Sequence, residues 1–308
     1  MSKAFAVTDL SVVIVNWNTG DLLAQCLASL RHARPALSLE LIVVDNASTD
    51  GSAHGFPQEG DGLRLITHTS NLGFARACNR GIRESRGRYI LLLNPDTRVL
   101  PGSLEAMLVF MDAHPEAGAA GPALLNPDGS LQPSGGRFPS LRGLLAIHPI
   151  IARFFPAPED PLRRRDFSRV AEVEEVSGAC LLIRRSAWEA VGPLDEAFFL
   201  YFEEVDWCLR LTRQGWKVYY VPQARVIHHW RSRTDPDPQA QLYHLRSQRY
   251  YVRRHFGRGP FLLLTAVCLV VHTCLLAMGL IRWLLRPEPS HRQDLRRSMQ
   301  LLRVCLGG

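Results

Sequence analysis

The sequence predicts an α/β fold with a mostly parallel central sheet, helices on both faces, and a C-terminal apolar, basic helical tail. Three observations predict it. Short apolar runs alternate with segments of helical apolar spacing through the first 115 residues. Three of these runs stop at polar clusters, Asn16-Trp17-Asn18, Asp45-Asn46 and Asn94-Pro95-Asp96. Parallel sheets bind ligands just beyond the carboxyl ends of their strands. Finally, residues 261–281 form one long uncharged stretch between arginines.

"LSVVIVN" (10–16) is β-branched and reads as a buried strand. "GDLLAQCLASLRHA" carries Leu22, Leu23, Cys26, Leu27 and Leu30 at helical spacing. "LELIVVDN" (39–46) and "RLITH" (64–68) are the next strands. "GFARACNRGIRESRG" reads as a helix closed at Gly87, "YILLLN" as a strand, and "PGSLEAMLVFMDAHP" as a helix between Pro101 and Pro115. Residues 126–170 are rich in Pro, Gly and Arg, which suits a lid, a binding loop or plain disorder. "VSGACLLIRR" returns as a strand, "EEVDWCLRLTRQGW" as a helix closed by Gly215, and "KVYYVP" and "ARVIHH" as two short strands.

With 308 residues, 46% apolar and 21% charged, the chain is neither collagen-like nor mainly disordered. The net charge of +7 is uneven. From residue 243 onward eleven Arg face two acids, so the tail carries +9 and the remainder about −2. A basic segment around an apolar run fits an anionic membrane surface rather than nucleic acid. The seven Cys show no CxxC pair and read as reduced core residues of a cytosolic protein. "MSKAFAVTDL" has no apolar core of the kind a signal peptide needs. No P-loop is present, and no GxGxxG follows the first strand, which disfavours a dinucleotide-dependent dehydrogenase.

Three constellations carry chemistry. Asp96 in "NPDT" is either a turn-forming Asp or a hard oxygen ligand for Mg2+ or Mn2+ bridging to substrate phosphates. Glu203, Glu204 and Asp206 follow an aromatic cluster. On a helix Glu203 and Asp206 share a face, and Glu204 points elsewhere. Such acids either favour the helix macrodipole or supply a base whose pKa desolvation raises. His228 and His229 end a strand and point to opposite faces, so one of them at most faces a site.

The blocks "VVIVNWNTGDLLAQCLASL", "LIVVDNASTDGS", "NLGFARACNRGI", "ILLLNPDT", "VSGACLLIRRSAWEAVGPLDEAFFLYFEEVDWCLRL" and "ARVIHH" resemble those of a family 2 glycosyltransferase, rhamnosyltransferase-like branch, over residues 10–230. The resemblance implies a GT-A fold, an inverting mechanism, a nucleotide-sugar donor and a divalent metal, Mg2+ or Mn2+. It places Trp17 at the base, Asn18 among the donor-binding residues and Asp45 at the base or ribose. Asn71, Gly73, Arg76 and Asn79 line the donor. Asn94-Pro95-Asp96 stands where the family writes Asp-x-Asp, so Asp96 becomes the main metal carboxylate. His228 is the third metal contact, with His229 as its alternative. "EEVD" stands for "EDVD", making Glu204 the base, one methylene longer than the usual Asp; Glu203 and Asp206 are the alternates. dTDP-rhamnose is the first donor expected, with UDP-hexoses behind it.

The chain is expected to divide into a catalytic domain over 1–240, with a donor half near 10–115 and an acceptor half over 116–240, and a basic, apolar membrane-associating tail over 241–308. Segment 261–281 can span a bilayer, lie on its cytoplasmic surface as a re-entrant or in-plane helix, or be buried. Thr265, Cys268, His272 and Gly279 share one side of it, a candidate packing face. A membrane setting suggests a lipid-linked glycan acceptor in cell-envelope polysaccharide synthesis. "SQRYYVRR" is not the Gln-x-x-Arg-Trp block of processive synthases, so one sugar per encounter is expected. The competing readings are a sugar-phosphate nucleotidyltransferase and a non-catalytic membrane scaffold.

Overall fold

Strand β1 (Leu10–Asn16) is buried at every position, and it becomes the centre of the main sheet. The computed structural model describes residues 8–33, 38–56, 59–60, 62–145, 167–229, 238–286 and 288–307. After β1 come α1 (Leu22–His32), β2 (Leu39–Asp45), β3 (Glu59–Gly60), β4 (Leu63–Thr67), α2 (Phe74–Glu84) and β5 (Tyr89–Leu93). Then follow β6 (Thr97–Val99), α3 (Ser103–Ala113), β7 (Ala117–Leu125), β8 (Leu131–Gln132), β9 (Gly135–Gly136) and α4 (Leu141–Leu145). Beyond these lie β10 (Ala171–Val173), β11 (Glu175–Val176), β12 (Cys180–Arg184), α5 (Arg185–Val191), α6 (Glu203–Arg213) and β13 (Lys217–His228). The tail is helical: α7 (Pro238–His255), α8 (Arg258–Leu285) and α9 (Pro289–Leu306).

Successive residues of a strand point to opposite faces, so a sheet covered on both sides needs continuous apolar strands. Val12, Ile14, Leu41, Val43, Leu91 and Leu93 pack with α1 and α3 on one face. Their neighbours Val13, Val15, Ile42, Val44, Ile90 and Leu92 pack with α2, α5 and α6 on the other. The sheet is parallel over β4-β2-β1-β5. Beyond β5 it turns mixed, because β12 runs antiparallel to both β5 and β7, and β13 pairs parallel with β7. The chain leaves β1 toward β2 and β4, then crosses back to β5. Such a switch in strand order is where open α/β sheets bind ligands, here at the carboxyl ends of β1 and β5.

Several elements differ from the expectation, among them β6, β10 and α5, which the sequence reading does not contain. The helix expected to reach Gly87 stops at Glu84, and Ser85 is extended. Gly87 serves a close approach instead, since a Cβ there would lie 2.6 Å from the Ser11 nitrogen. The two expected strands "KVYYVP" and "ARVIHH" are one strand, β13, with an irregularity between Val221 and Arg225 that accommodates Pro222. Strand β7 was not expected, because "AGAAGPALL" is poor in large β-formers. Its small residues are needed for packing: Cβ atoms at Gly118 and Gly121 would lie 2.8 Å from Leu211 and 2.7 Å from Val176. Of the irregular stretch 126–170, residues 146–166 lie outside the described residues.

The chain forms two compact units. One is Met1–Phe138, Asp160–Phe199 and Glu203–Trp230; the other is Pro139–Glu159, Leu200–Phe202 and Arg231–Gly308. Within the second, Gln248 Nε2 donates to the Leu144 carbonyl (2.9 Å) and Ser247 Oγ to that of Leu200 (2.7 Å). The stripe on α8 is a packing face: Cys268 is fully buried, and Gly279 leaves room for Leu295 of α9. Of the seven free cysteines only Cys274 is exposed.

Candidate active site

Strand β5 ends because Pro95 cannot donate to a ladder. The Asn94 N–H instead donates to the Ala179 carbonyl (2.9 Å). Asn94-Pro95-Asp96-Thr97 forms a turn with Pro at its second position, and the Thr97 hydroxyl donates back to the Asn94 carbonyl (2.6 Å). Cys26 of α1 supports the turn from beneath, with its thiol 3.7 Å from the same carbonyl. The chain leaves the turn as β6, which pairs antiparallel with the end of β13 and sets Thr97 opposite His228. A proline between two polar residues thus bends the chain so that Asp96 meets a histidine from residue 228.

His228 is buried, and its Nε2 lies 3.4 Å from Asp96 Oδ1. Gln132 fixes its orientation. Gln132 Nε2 donates to Asn126 and to the His228 carbonyl, so Gln132 Oε1 must accept the proton of His228 Nδ1 (3.0 Å). Nε2 is then the ring nitrogen turned toward a carboxylate oxygen, two atoms of the kind that ligate a divalent cation. Asp96 and His228 therefore fit a divalent metal as a two-donor site. Among the described residues no cluster of three or more His, Cys, Asp or Glu side chains could hold one, so other ligands would come from substrate and water. Among the described residues, His229 contributes its backbone N–H, to the Asp96 carbonyl (2.8 Å).

The three acids of α6 are treated very differently. Asp206 is fully buried and accepts from Arg210 Nε at 2.8 Å, while Arg210 also reaches the Val191 and Pro193 carbonyls. It anchors α6. Glu203 is also buried, yet its Oε2 has no hydrogen-bond partner among the described residues. Burial pushes the Glu203 carboxyl well above the usual range, and the nearby Glu204 charge pushes it further. Burial raises Glu204 as well, opposed by backbone N–H groups at Glu204, Gly178 and Val205, and its Oε2 is likewise unpartnered. Gly178 matters twice. It donates to Glu204, and its neighbour Ala179 accepts from Asn94. Two consecutive residues therefore tie Glu204 to the Asp96 turn.

At the ends of β1 and β2, Asp45 is buried and accepts from Asn16 Nδ2 (2.9 Å) and Ser48 Oγ (2.6 Å). Asn16 Nδ2 also reaches Ser52 Oγ at 2.9 Å. Asn18 and Ala47 are left-handed, with φ of 52° and 65°, strain of the kind that collects at ligand-binding loops. Trp17 is 48% exposed beside them. Asn46 Nδ2 donates to Asn71 (2.8 Å), holding the next loop. Arg76 pairs with Glu196 (2.9 Å), and Asn79 bonds the Leu194 backbone in both directions, so these two fasten the 194–196 stretch to α2. Gly73 permits the Phe74 N–H to reach the Phe199 carbonyl at 2.7 Å, where a Cβ would collide. Gln132 was invisible in the sequence, since a lone Gln in "GSLQPSGG" carries no motif. Ser48 and Ser52 stood within the quoted block "LIVVDNASTDGS" without an assigned part.

Residues 11–192 match the profile described as Glycosyl transferase family 2. The chain is a family 2 glycosyltransferase. Residues 163–290 of this glycosyltransferase also match Glycosyl transferase family group 2. It is 37% identical over 272 residues, 82% of its length, to the N-acetylglucosaminyl-diphospho-decaprenol L-rhamnosyltransferase of Mycobacterium tuberculosis, covering 87% of that protein. Its fold matches GalNAc-T7 solved with UDP, GalNAc and Mn2+ (TM-score 0.60, 17% identity, 80% of this chain and 48% of that one). It also matches a mannosyltransferase from Pyrobaculum calidifontis solved with GDP-Man and Mn2+ (TM-score 0.53, 16% identity, 98% and 87%). At these identities the shared property is the GT-A fold.

Proposed function

We propose that the enzyme is an inverting rhamnosyltransferase that moves rhamnose from dTDP-rhamnose to a hydroxyl of a polyprenyl-diphosphate-linked glycan in envelope synthesis. What supports this reading is that Asp96 lies beside His228, and that Glu204 is linked to the Asp96 turn through the neighbours Gly178 and Ala179. The Mycobacterium tuberculosis relative, a rhamnosyltransferase whose name specifies a diphospho-decaprenol acceptor, supports the choice of sugar and lipid.

Trp17 holds the base, Asp45 orients the base or ribose, and Asn18, Asn71 and Asn94 line the donor, with Arg76 at its edge. Asp96 and His228 would hold Mg2+ or Mn2+, which would supply positive charge to the departing diphosphate. Glu204 accepts the proton of the acceptor hydroxyl. That oxygen forms its bond to the anomeric carbon from the side opposite the diphosphate, whose carbon–oxygen bond breaks. No covalent enzyme intermediate is required. Of the two carboxyls Glu203 is pushed up further, by burial and by the Glu204 charge, which favours Glu204 as the carboxylate that works.

The test uses the full chain with dTDP-rhamnose and a lipid-diphosphate acceptor. Asp96→Ala and Glu204→Gln should each lower turnover by about 100-fold or more. Glu204→Gln should keep its donor affinity. Unchanged turnover in Glu204→Gln removes Glu204 as the base.

A further inference from the structure

The apolar helix α8 is long enough to cross a bilayer. It has 28 residues and little buried surface, about 42 Å at the α-helical rise against a hydrocarbon core of about 30 Å. Its partner helix argues against a crossing. α9 returns antiparallel along it, with Leu295 against Gly279 and Cys305 hydrogen-bonded to Cys268. The part of α9 between those contacts carries Arg296, Arg297 and Arg303, and Arg296 and Arg303 are exposed. These guanidiniums run beside the middle of α8. In a crossing α8 they would lie at mid-bilayer, where charged side chains are costly. α9 carries a single acid, Asp294.

An in-plane placement removes the conflict. Leu262, Val270, Ile281 and Leu284 are exposed along α8 at helical spacing, a face suited to acyl chains. Arginines of α7 and α9 can then stay at headgroup depth, and eleven Arg against two acids from residue 243 onward match an anionic surface. Arg246 of α7 and Arg303 of α9 also line one groove of about 540 Å³ with Leu242, Val304 and Leu306. Basic groups beside an apolar wall suit a lipid phosphate and the start of its chain.

We infer that α7–α9 lie in the plane of an anionic phospholipid surface, with α8 sunk into the interface without crossing it and Arg246 and Arg303 on lipid phosphates. The inference does not depend on the sugar or acceptor proposed above. It is tested in the full-length chain carrying Cys274→Ser, with a membrane-impermeant maleimide on vesicles of either sidedness. Ala190→Cys, exposed on α5, reports the side of the catalytic unit, and Arg286→Cys reports the far end of α8. Both should label from the same side. Labelling of Arg286→Cys only from the opposite side, or its protection from both, overturns the in-plane placement. In co-sedimentation, Arg246→Ala with Arg303→Ala should weaken binding to phosphatidylglycerol vesicles by about tenfold while leaving the melting temperature unchanged. Undiminished binding, or equal wild-type binding to pure phosphatidylcholine, overturns the phosphate assignment.

Discussion

Glu203 is the least comfortable side chain of the site, a buried acid with an unpartnered oxygen and a pKa pushed well up by burial. A carboxyl whose folded pKa is raised binds its proton more tightly in the native state. Its contribution to stability is therefore complete below the unfolded Glu pKa and is lost as pH rises through the folded value. Glu203→Gln should melt at a higher temperature than the wild type above that value, with the gap closing as pH falls toward about 4.5. A constant gap across that range would show that Glu203 folds ionised. Glu204 is raised by burial too, so kcat/KM should fall on the acid side with an apparent pKa above the ordinary Glu value, and Glu204→Gln should abolish that limb with the activity. Gln132 acts through another residue. By holding His228 Nδ1 it aims Nε2 at Asp96. Gln132→Ala should weaken Mn2+ binding, read by titration, about 10- to 100-fold, and Gln132→Glu should restore part of it. Undiminished affinity would separate Gln132 from the metal.

At the scale of elements, the site exists because β5 turns at Pro95 into β6 and β6 pairs with β13. The entry into β5 is equally constrained. Gly87 lets the chain pass within contact of the Ser11 backbone, and Gly87→Ala should lower stability by about 1–3 kcal/mol, measured by urea unfolding; an unchanged midpoint would contradict the close approach. The parallel half was legible because β1, β2 and β5 are covered on both faces and so must be apolar throughout. The strand ends were legible for the same reason, since Asn16, Asp45 and Asn94 interrupt those runs. β7 was hidden because its backbone lies under Trp216 and Val176, which admits only small residues, and small residues carry no strand signal. The join of the two segments of β13 was hidden by Pro222, which a bulge tolerates but a local reading takes as a break. Gln132 could not be read because only the fold brings it to His228. The sequence pattern placed Glu203 and Asp206 on one helix face, but the division of labour among the three acids needed Arg210 in place.

At the scale of the whole molecule, the charge is divided as the work is. The unit holding the sheet and the acids is close to neutral, and the helical tail is strongly basic. Salt screens charge but not apolar burial. Raising ionic strength should therefore weaken flotation with anionic vesicles without abolishing it, and complete release by salt alone would show that α8 takes no part. The central claim is that one metal-held diphosphate sits between the Asp96 turn and the Glu204 carboxylate. A crystal structure of the full chain with Mn2+ and dTDP tests it most directly. An anomalous Mn2+ peak within bonding distance of Asp96 and His228, with the terminal phosphate facing Glu204, is the predicted result. A nucleotide bound elsewhere, or a metal peak away from both residues, would contradict it.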